Sequence, residues 1–325
     1  MGAFTVSSDQ LGTYGHGLQR PECVLCTADG SVWTSCWPGG VTQVRPDGTQ
    51  HNIIATNLPF ELYPNGIALL PDGSFLLANL GQQGGVWRLQ RDGTAEAFLL
   101  EVAGRPLPPS NFVTLDHLNR VWITVSTWHN PRSLAYRKTV ADGFIVRVDN
   151  SGARVVAEGL GFTNELLLDA NRGWLYVNET FARRLSRYRL DAAGLLYNKQ
   201  IVAEFGAGSF PDGLAMDEEG GIWIASIISN RVMRLAPNGT LDIILEDSNA
   251  EHLAWVEQAY AENRMDRLQM DTMNSKHLKS ISSIAFGGPA RSTAYLGCLL
   301  GEQLHCFDAP VRGLAPVHWN WAEAN

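Results

Sequence analysis

Apolar and polar positions alternate in short runs along almost the whole chain, and each run stops at a turn signal. Gly40-Val41-Thr42-Gln43-Val44 leads to Asp47-Gly48, and Gly85-Val86-Trp87-Arg88-Leu89 leads to Asp92-Gly93. Phe144-Ile145-Val146-Arg147-Val148 leads to Ser151-Gly152, and Arg231-Val232-Met233-Arg234-Leu235 to Asn238-Gly239. A period of two closed by such turns predicts half-buried β-strands joined in hairpins.

A larger unit contains these strands. It opens on a polar residue that enters an apolar run: Glu22, Asn65, Asn111, Asn164, Asp212 and Ser282. Eight residues after the first, second, third and fifth of these stand Gly30, Gly73, Asn119 and Gly220; the fourth copy slips by one, to Gly173. Gly and Asn tolerate positive φ, so each marks a hairpin turn. A large residue follows in every copy: Trp33, Phe75, Trp122, Tyr176, Trp223 and Tyr295, placed to stack between neighbouring units. Fourth strands follow, such as Ile53-Ile54-Ala55 and Ile243-Ile244-Leu245. Four strands per unit at a period of roughly 40–50 residues predict a propeller. The fold expected is all-β, one six-bladed β-propeller domain over residues 1–325. The last unit has no fourth strand after Cys306-Phe307, so the segment before Glu22 is expected to supply it and close the ring.

Two insertions interrupt the period. One runs from Ser126 to Thr139 and contains Trp128-His129-Asn130-Pro131; the other lies between blades 5 and 6, about 249–277. In the second, Ser248 and Glu251 have capping-box spacing, and Leu253, Val256, Ala259 and Tyr260 follow a helical period. A helix is predicted from about Ala250 to Asn263, with room for another after it. The insertion reads either as a packing decoration on one propeller face or as a lid.

The formal charge is −8, and no basic run provides a footprint for nucleic acid or an anionic membrane. Arg183-Arg184, offset by Glu179, reads as a solvated strand face. No basic-then-apolar leader opens the chain, and no apolar run reaches the ~18 residues of a membrane helix; a cytoplasmic protein acting on a small molecule is expected. The five cysteines, Cys23, Cys26, Cys36, Cys298 and Cys306, form no regular framework. Cys23 and Cys26 fall on opposite faces of one strand and read as small core residues.

The opening polar residues carry the chemistry. In a propeller the equivalent position of every blade faces the central channel, so six equivalent oxygen-bearing residues form a ring. Two carboxylates with carboxamide oxygens suit a hard divalent cation; the same residue types also shape turns entering strands.

Glu22, Asn111, Asn164 and Pro211-Asp212-Gly213, with Ala285-Phe286-Gly287-Gly288-Pro289 and the closing His318-Trp319, resemble the SMP-30/gluconolactonase family over residues 20–319. The resemblance implies a propeller with one divalent cation in the channel, held by Glu22, Asn164 and Asp212. Calcium comes first, with magnesium, zinc or manganese as alternatives. It implies Asp212 as the general base and Asn111 as a contact to substrate or cation-bound water. Asn65 and Glu165 are further candidate substrate contacts, although strand alternation turns Glu165 away from the channel. Pro109 stands where the family's gluconolactonases carry an Arg that reads sugar hydroxyls, and Glu165 follows the fourth-blade Asn where Gly is usual.

The function expected is cation-dependent hydrolysis of a lactone or related ester other than gluconolactone itself. Isomerisation of a carbonyl substrate at the same cation, or a non-catalytic cation-stabilised binding propeller, are the alternatives. No G-x-S-x-G elbow occurs, which argues against a serine esterase.

Overall fold

The computed structural model describes residues 4–322, so the two ends of the expected span 1–325 lie outside the described residues. It contains six four-stranded antiparallel sheets. The first strand of each blade contacts the first strand of the next: Val24–Cys26, Pro64–Leu69, Phe112–Leu115, Thr163–Asp169, Ser209–Met216, Ile281–Gly287 and back to Val24–Cys26. This closed circuit is the wall of the central channel, and the chain is a six-bladed β-propeller.

Closure occurs as the missing fourth strand required. Gly12–Tyr14 pairs antiparallel with Leu304–Asp308, with Gly12 opposite Cys306 and Tyr14 opposite Leu304. The sixth blade is therefore built from both ends of the chain.

Burial follows the strand order. Middle strands such as Val32–Cys36 and Phe75–Asn79 are buried at every position, whereas the outermost Gln50–Ile54 is largely exposed. The large repeat residues fill the gaps between blades: Trp33 meets Phe75 at 5.1 Å, and Trp223 meets Phe286 at 5.3 Å. Two of these tryptophans also donate their indole N–H to a turn carboxylate, Trp122 to Asp116 at 3.0 Å and Trp223 to Asp217 at 2.8 Å. Gly30, Gly73 and Gly220 have φ near +85°, and Asn119 has φ +58°, as their turns demand.

Helix α1 spans Ala250–Ala261 and helix α2 spans Arg267–Asp271. The α1 cap is Asn249, which accepts from His252 N at 2.9 Å; the expected cap, Ser248, instead turns its hydroxyl to Glu246. Asn249 is one residue nearer the first turn, where its side-chain oxygen reaches an otherwise unpaired N–H. Val256, Ala259 and Tyr260 form the buried face, as their spacing predicted.

The two insertions meet over blades 4 and 5. The first carries a short 3-10 turn, Arg132–Ala135. Tyr136 stacks on Phe181 at 4.5 Å, Phe181 touches Phe210, and Phe210 meets Tyr260 of α1 edge-on at 5.5 Å. Arg183 pairs with Glu257 of α1 at 2.6 Å, and Tyr260 donates its hydroxyl to the Phe181 carbonyl.

Glu179 departs from the expected solvated face. It is fully buried, and it accepts from Arg184, Ser186 and Gly161 N and pairs with Lys199 at 2.9 Å. Four donors around one carboxylate hold its proton affinity below the usual range despite burial. Among the described residues no helix is long and apolar enough to cross a membrane.

Candidate active site

The six opening residues all lie where an inner strand begins, at one end of the channel, and all are buried. The backbone there is irregular. Strand register shifts between Pro64 and Ile67, Thr163 and Leu166, Pro211 and Leu214, and Ile281 and Ser283. A bulge at each of these points frees two consecutive residues from strict alternation and re-aims their side chains.

That bulge changes the reading of Glu165. At the equivalent position Gly66 and Gly213 stand so close to the next blade that a Cβ would lie 2.6 Å from Phe112 Cα and 2.5 Å from Ser283 Cα. Glu165 points in the same direction, along the channel wall toward blade 5. Its Oε2 accepts from Leu214 N at 2.8 Å, and its Oε1 is buried without a partner among the described residues. Strand alternation does not turn it outward.

A chain of hydrogen bonds holds the other opening residues. Asn65 Nδ2 donates to Glu22 Oε1 at 2.8 Å and to the Asn111 carbonyl at 3.1 Å. Asn111 Nδ2 donates to Ser126 Oγ at 3.0 Å, and Asn164 Nδ2 donates to Thr180 Oγ1 at 3.0 Å. Ser282 Oγ donates to the Glu22 carbonyl at 3.0 Å, linking blade 6 to blade 1. The result is selective. Glu22 Oε2, Asn164 Oδ1 and Asp212 Oδ1 are buried and, among the described residues, accept no hydrogen bond.

Buried oxygens left over in this way need a donor or a cation. Two carboxylates and a carboxamide are hard oxygen ligands, so Glu22, Asn164 and Asp212 fit a divalent cation. Among the described residues no three His, Cys, Asp or Glu side chains are grouped to hold a metal; the fit depends on the Asn164 carboxamide.

Electrostatics agree with that need. Burial pushes the Glu22 carboxyl up to about 7, against the pull of Arg20. Burial, and then the Glu22 charge, raise Asp212 and Glu165 well above the usual carboxylate range. Three mutually repelling acids in one dry channel bind protons when no cation is present.

Two residues absent from the sequence reading complete this end. Arg20 lies two positions before Glu22, over the Trp37 ring at 4.4 Å, and Arg132 comes from the blade 3 insertion, donating to Ser126 Oγ at 2.9 Å. Both guanidinium charges act on Glu22 and Asp212. The sequence held one signal: Arg20 has the same offset from Glu22 that Pro109 has from Asn111, the position where the resemblance expects an arginine.

A cavity of about 330 Å³ fills the other end of the channel, lined by Cys23, Cys26, Phe112, Glu165, Met216 and the C-terminal Leu314–His318 stretch, among others. Only Glu165 and the neighbours of the opening residues connect it to the polar cluster. His318 is half-buried there, and loss of solvent pushes it down to about 4. The reactive groups and this largely apolar chamber thus occupy opposite halves of the channel.

Comparison with known proteins places this architecture. Residues 56–250 match the model of the SMP-30/Gluconolactonase/LRE-like region. A 6-deoxy-6-sulfogluconolactonase of Pseudomonas putida is 31% identical over 225 residues, 67% of this chain and 72% of that protein. A gluconolactonase from Xanthomonas campestris superposes with a TM-score of 0.66 at 19% identity, covering 91% of this chain and 88% of that one. A calcium-binding regucalcin from Agrobacterium tumefaciens superposes with a TM-score of 0.66 at 14% identity, over 99% and 100%. At these identities the two superpositions establish the fold alone, but the matched family region covers more than half of the sequence. The chain belongs to the SMP-30/gluconolactonase/LRE-like family.

Proposed function

We propose that this protein hydrolyses a lactone or related ester with the help of one divalent cation, calcium first, held by Glu22, Asn164 and Asp212. The observation that carries the reading is the trio of buried oxygens without partners on these residues, at one end of the channel. The names of its family relatives support hydrolysis of a lactone ring. Pro109, in place of the sugar-reading arginine, argues that gluconolactone itself is not the substrate.

Held by this trio, a divalent cation would supply Lewis-acid polarisation of a carbonyl and offset negative charge on its oxygen. The remaining work falls to side chains. Asp212 takes the proton of the attacking water. The hydroxyl joins the carbonyl carbon, the ring C–O bond breaks, and the proton passes to the departing ring oxygen, giving a hydroxy acid. Asn111, its Nδ2 committed to Ser126, presents Oδ1 to a water or substrate hydroxyl. Glu165 holds Leu214 N and so fixes the backbone two residues beyond Asp212. Asn65 spans Glu22 and Asn111, which makes it a positioning residue for both.

The test is a hydrolysis screen over aldonolactones, aliphatic lactones and aryl esters, with chelated protein and with protein reloaded with calcium, magnesium, zinc or manganese. Turnover that disappears on chelation and returns with a cation is expected. No turnover with any cation, or chelation that lowers only the melting temperature, overturns the reading.

A further inference from the structure

Arg20 and Arg132 occupy an unusual position for two cations. Both are half-buried at the end of the channel that carries the polar cluster. Among the described residues neither forms an ion pair within 4.0 Å, and the Nε of each is buried without a partner. A guanidinium carries five N–H donors. Arg20 uses two, to Asn65 Oδ1 and the Leu299 carbonyl, both at a long 3.4 Å, and Arg132 uses one. Each also lies over an aromatic face, Trp37 under Arg20 and Phe162 at 5.2 Å from Arg132. Arg20 also sits at φ +52°, a left-handed conformation that favours glycine. An arginine kept at such a position, with most of its donors unused, is available to a ligand.

Neutralising the nearby acids does not account for both arginines. Glu22, Glu165 and Asp212 bring three negative charges when ionised, and the two arginines bring two positive ones. With a divalent cation at the proposed trio the cluster is net positive. A neutral lactone has nothing to match that excess.

We propose that the substrate is a lactone carrying an anionic substituent, a sulfonate, phosphate or carboxylate, and that Arg20 and Arg132 bind that group. This rests on the lactonase reading and narrows its substrate class. The two guanidinium groups reach the same end of the channel from blade 1 and from the blade 3 insertion, so the anion would lie between them. Planar, charge-assisted donors suit each of these anions.

The test uses calcium-loaded protein and calorimetric binding of hydroxy acids that need no turnover: gluconate against 6-phosphogluconate, 6-deoxy-6-sulfogluconate and glucarate. The substituted acids are expected to bind at least tenfold tighter than gluconate, and the tightest of them identifies the anion. Arg20→Gln and Arg132→Gln should each cut that preference several-fold, with Arg132→Lys retaining part of it. Raising NaCl from about 0.05 to 0.5 M should erode the preference of the native protein, since the interaction is ionic; this arm holds even if a variant does not fold. Equal binding of gluconate and the substituted acids, a preference that survives in both glutamine variants, or a preference indifferent to salt overturns the proposal. An arginine-dependent preference without ring opening of any lactone would instead remove the lactonase reading and leave the anion site standing.

Discussion

The Asn65 carboxamide reaches across the seam between blades 1 and 2 to donate to Glu22 Oε1 at 2.8 Å, and so decides which Glu22 oxygen is left for a cation. Groups that orient a ligand in this way typically control 10–100-fold in metal affinity. Asn65→Ala should therefore weaken calcium binding by about tenfold or more in a calorimetric titration. Unchanged affinity would show that Glu22 orients itself.

Asp212 has two roles in the proposed reaction, ligand and base. Asp212→Asn keeps the size and one oxygen but cannot take a proton. General-base loss costs about 10²–10⁴-fold in rate, so turnover of the best lactone should fall at least 100-fold while cation affinity also drops. A variant that turns over at the native rate would remove Asp212 from the mechanism.

The chelated protein should lose stability as pH rises through neutrality. Burial pushes the Glu22 carboxyl up to about 7 from its ordinary 4.5, and Asp212 and Glu165 are raised well above the usual carboxylate range. A carboxyl raised on folding contributes stability that is full below its unfolded pKa and is lost as pH passes its folded one. His318, pushed down to about 4 by burial, works in the opposite sense only up to its unfolded value of 6.5. Melting temperatures measured from pH 6.5 to 8.5 should therefore fall in chelated protein, and calcium at pH 8.5 should restore them. A flat profile would mean that the three acids do not share a dry site.

Glu179 tests the scaffold rather than the chemistry. Glu179→Ala leaves Arg184 and Lys199 facing a buried void, and breaking such a pair costs about 3–5 kcal/mol. Arg184 and Lys199 are 24% and 29% exposed and recover some water, so about 3 kcal/mol is expected by chemical denaturation. A loss within about 0.5 kcal/mol, the range of an ordinary surface change, would contradict the role given to this carboxylate.

The blades were legible because their signals are local. A strand with period two, a Gly or Asn at a fixed offset and a large residue after it need no knowledge of the rest of the chain. The same holds for the polar residue that opens each inner strand. Three features were not legible for physical reasons. Glu165 was misjudged because alternation assumes a regular ladder, and the bulge at Thr163–Leu166 breaks it. Glu179 sits among charged residues that look solvated in sequence, and only the pairing of neighbouring strands encloses it. Arg20 and Arg132 are ordinary loop arginines until ring closure brings blade 1 and the blade 3 insertion to the same cluster.

The clasp that closes the ring has a consequence for assembly. Gly12–Tyr14 and its partner Leu304–Asp308 are separated by nearly all of the described sequence, so their pairing has a very long loop to close. The polar cluster straddles the same junction: Ser282 donates to the Glu22 carbonyl, and Cys298 N donates to the Pro21 carbonyl beside it. Blade 6 thus holds the backbone on which Glu22 stands. A break in the clasp therefore bears on the polar cluster as well as on the ring, because both depend on the same sixth blade.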